Sequence, residues 1–124
     1  MGGVRKHHDL LVWQHSMELV EHIYALTHTF PRSEQFCLIS QMRRAAVSVP
    51  SNIAEGAARE SNLEFKHFLV IARGSLSELE TQLMLADKLG FCSNTKPHMD
   101  RLEVIFALLG GLIRKLNNAS SPHT

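Results

Sequence analysis

The sequence predicts an all-α fold, an antiparallel up-down-up-down bundle of four helices. Apolar residues recur at steps of three and four along four stretches, and no useful length alternates with period two. Proline, glycine and capping residues fall between those stretches, so the connections are short and each helix lies beside its sequence neighbour. The expected bundle covers residues 9–116, with a flexible N-terminal segment over 1–8 and a flexible polar tail over 117–124.

The first helix is expected from about Asp9 to His28, with Trp13, Met17, Val20, Tyr24 and Thr27 on its inner face. Phe30-Pro31-Arg32-Ser33 ends it, because proline opposes continuation and Ser33 can cap the next start. The second helix, about Glu34 to Glu55, presents Phe36, Ile39, Met42, Ala46, Val49 and Ile53. Pro50 lies well inside it, removing one backbone hydrogen bond and crowding the carbonyl four residues back. One helix kinked at Pro50 is expected in preference to two shorter helices broken at Val49, since the apolar phase holds from Ala46 to Ile53.

Ser61 with Glu64 three residues on forms a capping box for the third helix. Phe65, Leu69, Ala72, Leu76, Leu79, Leu83 and Ala86 line its inner face, and Gly90 stops it. Asn94 or Thr95 caps the fourth helix, with Pro97 in its first turn. Met99, Leu102, Phe106, Leu109, Ile113 and Leu116 form its inner face. The fourth helix also carries Val104, Ile105, Ala107, Leu108 and Leu112, and the first adds Leu10, Leu11, Val12, Leu19, Ile23 and Leu26. A bundle buries one stripe per helix, so this surplus implies a subunit interface on helices one and four.

The chain has 124 residues, enough for one core. With 13 Lys/Arg against 12 Asp/Glu its net charge is +1, so nucleic-acid contact would need an arranged patch or one summed over an oligomer. Cys37 and Cys92 are the only cysteines; they read as reduced, partly buried small hydrophobes of a cytoplasmic protein. The longest uncharged apolar stretch, Val104 to Ile113, falls far short of the roughly 20 residues that span a bilayer.

No catalytic centre, metal site or cofactor is expected. Glu64-x-x-His67 matches half of a di-metal carboxylate motif, but the second helix offers only Glu34 and Glu55 near its ends and the fourth only Glu103. His15 and His22, and Glu21 and His28, lie seven apart on one face and read as a wet stripe. The glycines fit no phosphate-loop pattern, and Cys37, Cys92 and the serines lack a paired base at a telling position. The stretch from Gln41 to Gly56 is dense in small residues. Ser48, Pro50, Asn52 and Gly56, with Gly74 and Ser75 on the third helix, predict a close helix crossing. In that reading Ser48, Ser51 or Asn52 receives the carbonyl that Pro50 leaves unpaired. Arg43, Arg44, Arg59 and Arg73 share that pair of helices with Glu55, Glu78 and Glu80. Intramolecular ion pairs are the first expectation and nucleic-acid contact the second.

These residues carry a resemblance. Leu11-Val12-Trp13-Gln14, Phe30-Pro31 before Glu34, and Gln41-x-x-Arg44-Ala45-x-x-Ser48-x-Pro50-x-Asn52-Ile53-Ala54-Glu55-Gly56 are its first markers. Arg59 and Phe65-x-x-Phe68-Leu69-x-x-Ala72-x-Gly74-Ser75-x-x-Glu78-x-Glu80-Thr81 complete it. The chain resembles the bacterial four-helix-bundle proteins encoded within intervening sequences of 23S rRNA genes. It also looks related to the accessory protein of diversity-generating retroelements. The resemblance covers roughly residues 9–116 and implies a ring assembly, a pentamer, with no catalytic residues to carry over. The retroelement relatives are similar to basic, nucleic-acid-binding partners of a reverse transcriptase, and the near-neutral charge here departs from that pattern. The expected function is therefore a non-enzymatic homo-oligomeric scaffold or interaction protein. The alternative is a weak RNA- or DNA-associated adaptor using the four arginines repeated around a ring.

Overall fold

The computed structural model describes residues 6–120 of the chain. Four helices, α1 (Leu11–His28), α2 (Leu38–Ala57), α3 (Asn62–Lys88) and α4 (Lys96–Ser120), are joined by short connections, and 3-10 turns lie at Lys6–Asp9 and Arg32–Glu34. The described residues contain no strand. α2 packs against α1 and α3, and α4 against α3 and α1, with nothing across the diagonals. This is the closed square of an up-down-up-down bundle.

α3 follows the expected pattern throughout. The Ser61 hydroxyl oxygen accepts the Glu64 N–H at 3.0 Å, satisfying a donor that the first turn leaves open. At the far end Gly90 takes φ +81°, so Phe91 N–H can donate to the Ala86 carbonyl (2.9 Å) and Gly90 N–H to that of Asp87 (3.0 Å). That pair of bonds is a Schellman closure, and the left-handed φ is why glycine stands there. Phe65, Leu69, Ala72, Leu76, Leu79, Leu83 and Ala86 are all buried.

α1 differs from expectation by one residue of phase. Its buried stripe is Val12, Ser16, Leu19, Ile23 and Thr27, while Met17 and Tyr24 are exposed and Trp13 and Val20 half-buried. Ser16 and Thr27 can occupy the core because each hydroxyl donates to the carbonyl one turn back, Ser16 to Val12 at 2.6 Å and Thr27 to Ile23 at 2.7 Å. Two self-satisfied polar residues thus interrupt the apolar signal of the true inner face.

α2 begins at Leu38, after the 3-10 turn, which leaves Phe36 on the connection and 88% exposed rather than on the apolar side. The helix continues through Pro50 to Ala57, so the two-helix alternative does not occur. Ile39, Met42, Ala46, Val49 and Ile53 are buried, as expected. In α4, Leu102, Leu109, Ile113 and Leu116 are buried as expected, but Ile105 joins them while Met99 and Phe106 are only half-buried. α4 runs to Ser120, past the expected bundle end at residue 116. Within the expected N-terminal segment, the rings of His7 and His8 stand 5.0 and 5.1 Å from that of Trp13. Residues 1–5 and 121–124 of the expected flexible ends lie outside the described residues.

Candidate interaction surfaces

The small residues build the α2–α3 seam, though not all six take part. Ser48 and Ser75 share a hydrogen bond between their hydroxyls (2.8 Å). Asn52 donates through Nδ2 to both the carbonyl (2.8 Å) and the hydroxyl (2.9 Å) of Ser48. Its donation therefore goes to Ser48, not to the Ala46 carbonyl that Pro50 leaves without its usual donor. Gly56 sits against Phe65 and Phe68 so closely that an added Cβ would lie 2.8 Å from Phe68 Cβ. Gly74 is exposed, and a Cβ there would touch nothing. Pro50 is buried on the other side of α2, facing α1.

The four arginines do not form one patch. Arg43 Nε donates to Thr27 Oγ1 (2.9 Å), Nη2 reaches the Tyr24 carbonyl (3.4 Å), and the guanidinium stacks 4.5 Å from the Tyr24 ring centre. Burial of Arg43 is thus compensated by a hydroxyl, a carbonyl and a ring, not by the acid expected. Arg59 pairs with Glu55 one turn back and lies over the Phe68 ring at 4.9 Å. Arg44 and Arg73 are exposed and form no ion pair among the described residues. Two residues along a helix is a turn of about 200°; with Ser75 against α2, Arg73 points away from α2 and from Arg44.

Of the two helices expected to carry surplus apolar surface, α1 exposes Leu11, Met17 and Tyr24, whereas α4 exposes little. Of α4's large apolar residues only Val104 is exposed, while Phe106, Leu108 and Leu112 pack on the core. Trp13, Met17 and Val20, expected inside α1, instead face a groove on the α1–α2 side, while Thr27 is buried as expected. Trp13, Met17 and Val20 form one wall, Val47, Pro50 and Ala54 the other, around about 430 Å³. Other exposed apolar residues lie along α3, among them Ile71, Met84, Leu85, and Leu63 and Val70, which line one shallow pocket.

Two titratable groups are perturbed. His98, at the start of α4, is held below the usual imidazole range by burial, then by the nearby Arg101 cation, then by His22 across the α1–α4 seam. Its ring centre lies 6.4 Å from that of His22, and its buried Nδ1 has no hydrogen-bond partner. Burial, with Asp87 beside it, raises the Cys92 thiol; Cys92 is half-buried, while Cys37 is exposed rather than partly buried. Among the described residues no three His, Cys, Asp or Glu side chains gather as a metal site, so Glu64 and His67 remain a pair without further ligands. No described helix is long and apolar enough to cross a membrane.

A second polar pocket had no sequence signal. It gathers Thr27 and His28 from the end of α1, Arg32 and Gln35 from the connection, and Arg43 from α2. Side chains from three separate stretches meet there, and no spacing rule links them.

Fold and surface together define a small helical-bundle protein with grooves between helices and no assembled catalytic group among the described residues. Its sequence matches the profile of the 23S rRNA-intervening sequence protein family over residues 8–111, and the chain belongs to that family. Among solved structures it is similar to a protein of unknown function from the S23 ribosomal protein family of Bacteroides thetaiotaomicron. The two share 21% identity over 88% of this chain and 97% of that one, with a TM-score of 0.60, a likeness of fold. No curated protein matches.

Proposed function

We propose that the protein is a non-enzymatic scaffold that acts as a homo-oligomer in the cytoplasm, joined through the α1–α2 groove. The observation that supports this is the paired apolar walls of Trp13, Met17, Val20, Val47 and Pro50, which a lone bundle leaves partly wet. The family resemblance favours a ring of five, in which contacts run head to tail, so the groove of one subunit takes a different surface of the next. Two free thiols, one exposed, suit a reducing compartment. Light scattering on the eluting protein over a range of concentrations reads the subunit number. A monomer mass persisting at about 100 μM would end this reading.

A second reading, an RNA- or DNA-associated adaptor akin to the retroelement accessory proteins, draws on Arg44 and Arg73, exposed and without acid partners among the described residues. Repetition around a ring would multiply both. Gel-shift titration of structured RNA at two salt concentrations tests it, because phosphate contacts weaken steeply with salt. Absence of any shift at low salt removes it.

A further inference from the structure

We propose that the pocket between the end of α1 and the start of α2 binds a small phosphate-bearing ligand. The pocket encloses about 330 Å³, at the lower end for small-molecule sites. Arg32, Arg43, His28, Gln35 and Thr27 line it over a floor of the buried Phe30 and Ile39, and no carboxylate lines it. Neither arginine forms an ion pair among the described residues, so two guanidinium groups share one concavity without a carboxylate to neutralise them. Glu34, the nearest acid in sequence, directs Oε1 to the Leu38 N–H at 3.4 Å.

Arg43 is held in place before any ligand arrives. Thr27 donates its hydroxyl hydrogen to the Ile23 carbonyl and so offers a lone pair to Arg43 Nε, while the Tyr24 ring fixes the guanidinium plane. Nη1 makes none of these bonds and is left for an anion. Two guanidiniums, an imidazole and an amide supply more donors than the two oxygens of a carboxylate can use. The three terminal oxygens of a phosphate monoester match them better. The apolar floor lowers the local dielectric and strengthens the attraction. The last carbonyls of α1 oppose it, but Arg43 already covers that of Tyr24.

Titration calorimetry of the full chain at fixed ionic strength tests this with inorganic phosphate, ribose 5-phosphate and chloride. Saturable binding of either phosphate, unmatched by chloride, is the expected result. Equal affinities identify phosphate itself as the ligand, and at least tenfold tighter binding of the sugar phosphate shows that the attached group is read. Arg32→Gln, at an exposed position that should leave folding intact, is expected to weaken binding about tenfold or more. No saturation by about 20 mM, or an Arg32→Gln variant that binds unchanged, overturns the proposal. So does binding of a short oligonucleotide that neither phosphate displaces. Subunit number is read separately, so this site and the scaffold reading can fail independently.

Discussion

A methyl group placed on Gly56 would lie 2.8 Å from Phe68 Cβ, 2.9 Å from Phe65 Cδ1 and 3.1 Å from the Phe65 carbonyl oxygen. Two of those atoms are fixed to the α3 backbone, so the helices themselves must part. Overpacking of this kind costs about 1–3 kcal/mol, and the helix-propensity gain of alanine returns about 1 kcal/mol. Gly56→Ala is therefore expected to lower stability by up to about 2 kcal/mol, whereas Gly74→Ala, which meets open space, should raise it by up to about 1 kcal/mol. Urea denaturation of both variants checks the contrast, and equal midpoints would contradict the close crossing. His98 gives a second expectation at this scale. Its folded-state value is lowered, so the unfolded chain takes up the proton first, and stability is full above about pH 6.5 and falls below it. The named neighbours are both potential cations, Arg101 on the same helix and His22 on α1, while Asp87 at the end of α3 bears on Cys92 instead. Glu18, one turn before His22, is exposed and forms no ion pair among the described residues. His98→Gln should lose less of its melting temperature between pH 7.5 and 5.5 than the parent chain. Identical losses would show that other groups carry the acid response.

At the scale of the helix, α3 shows what local signals can specify. Ser61 and Gly90 each solve a backbone problem that leaves a residue-type signature, and between them the apolar phase is unbroken. Ser61→Ala should cost about 1 kcal/mol by chemical denaturation, since it deletes one cap at an exposed site and touches no packing. A change below a few tenths would mean that water replaces the hydroxyl there. α1 shows the limit of such signals. Polarity at Ser16 disguised the buried stripe, because a hydroxyl that donates to its own helix needs no partner elsewhere; Thr27, on the expected inner face, is satisfied in the same way. The start of α2 was misplaced for a related reason: Phe36 looks like a core residue until the 3-10 turn at Arg32–Glu34 sets the phase. The α2–α3 seam was readable in part. Ser48, Asn52, Gly56 and Ser75 stand where small size or a short polar reach is needed, while Gly74 and Pro50 share their composition but not their location. The fate of Arg43 was not readable, because its hydroxyl and ring partners come from another helix, whereas Arg59 forms the expected kind of ion pair, with Glu55 one turn back.

For the molecule as a whole, the location of the surplus apolar surface decides which face could join subunits. The composition of α1 and α4 pointed to those two helices, yet α4 spends its excess internally: Ile105 is buried, and Phe106, Leu108 and Leu112 lean on the core. α1 turns Trp13, Met17 and Val20 toward α2, where Val47 and Pro50 form the facing wall. Met17, Val47 and Val104 are similarly exposed, at 43%, 40% and 44%, so a charge at any of them should be tolerated by the isolated bundle. In an interface, however, a buried unpaired carboxylate is costly enough to dissociate subunits. Met17→Asp and Val47→Asp are thus expected to shift the native mass to that of one subunit with the helical circular dichroism unchanged. Val104→Asp should leave the assembly intact. The opposite pattern would move the joint to α4, and dissociation by all three would implicate net charge rather than a particular face.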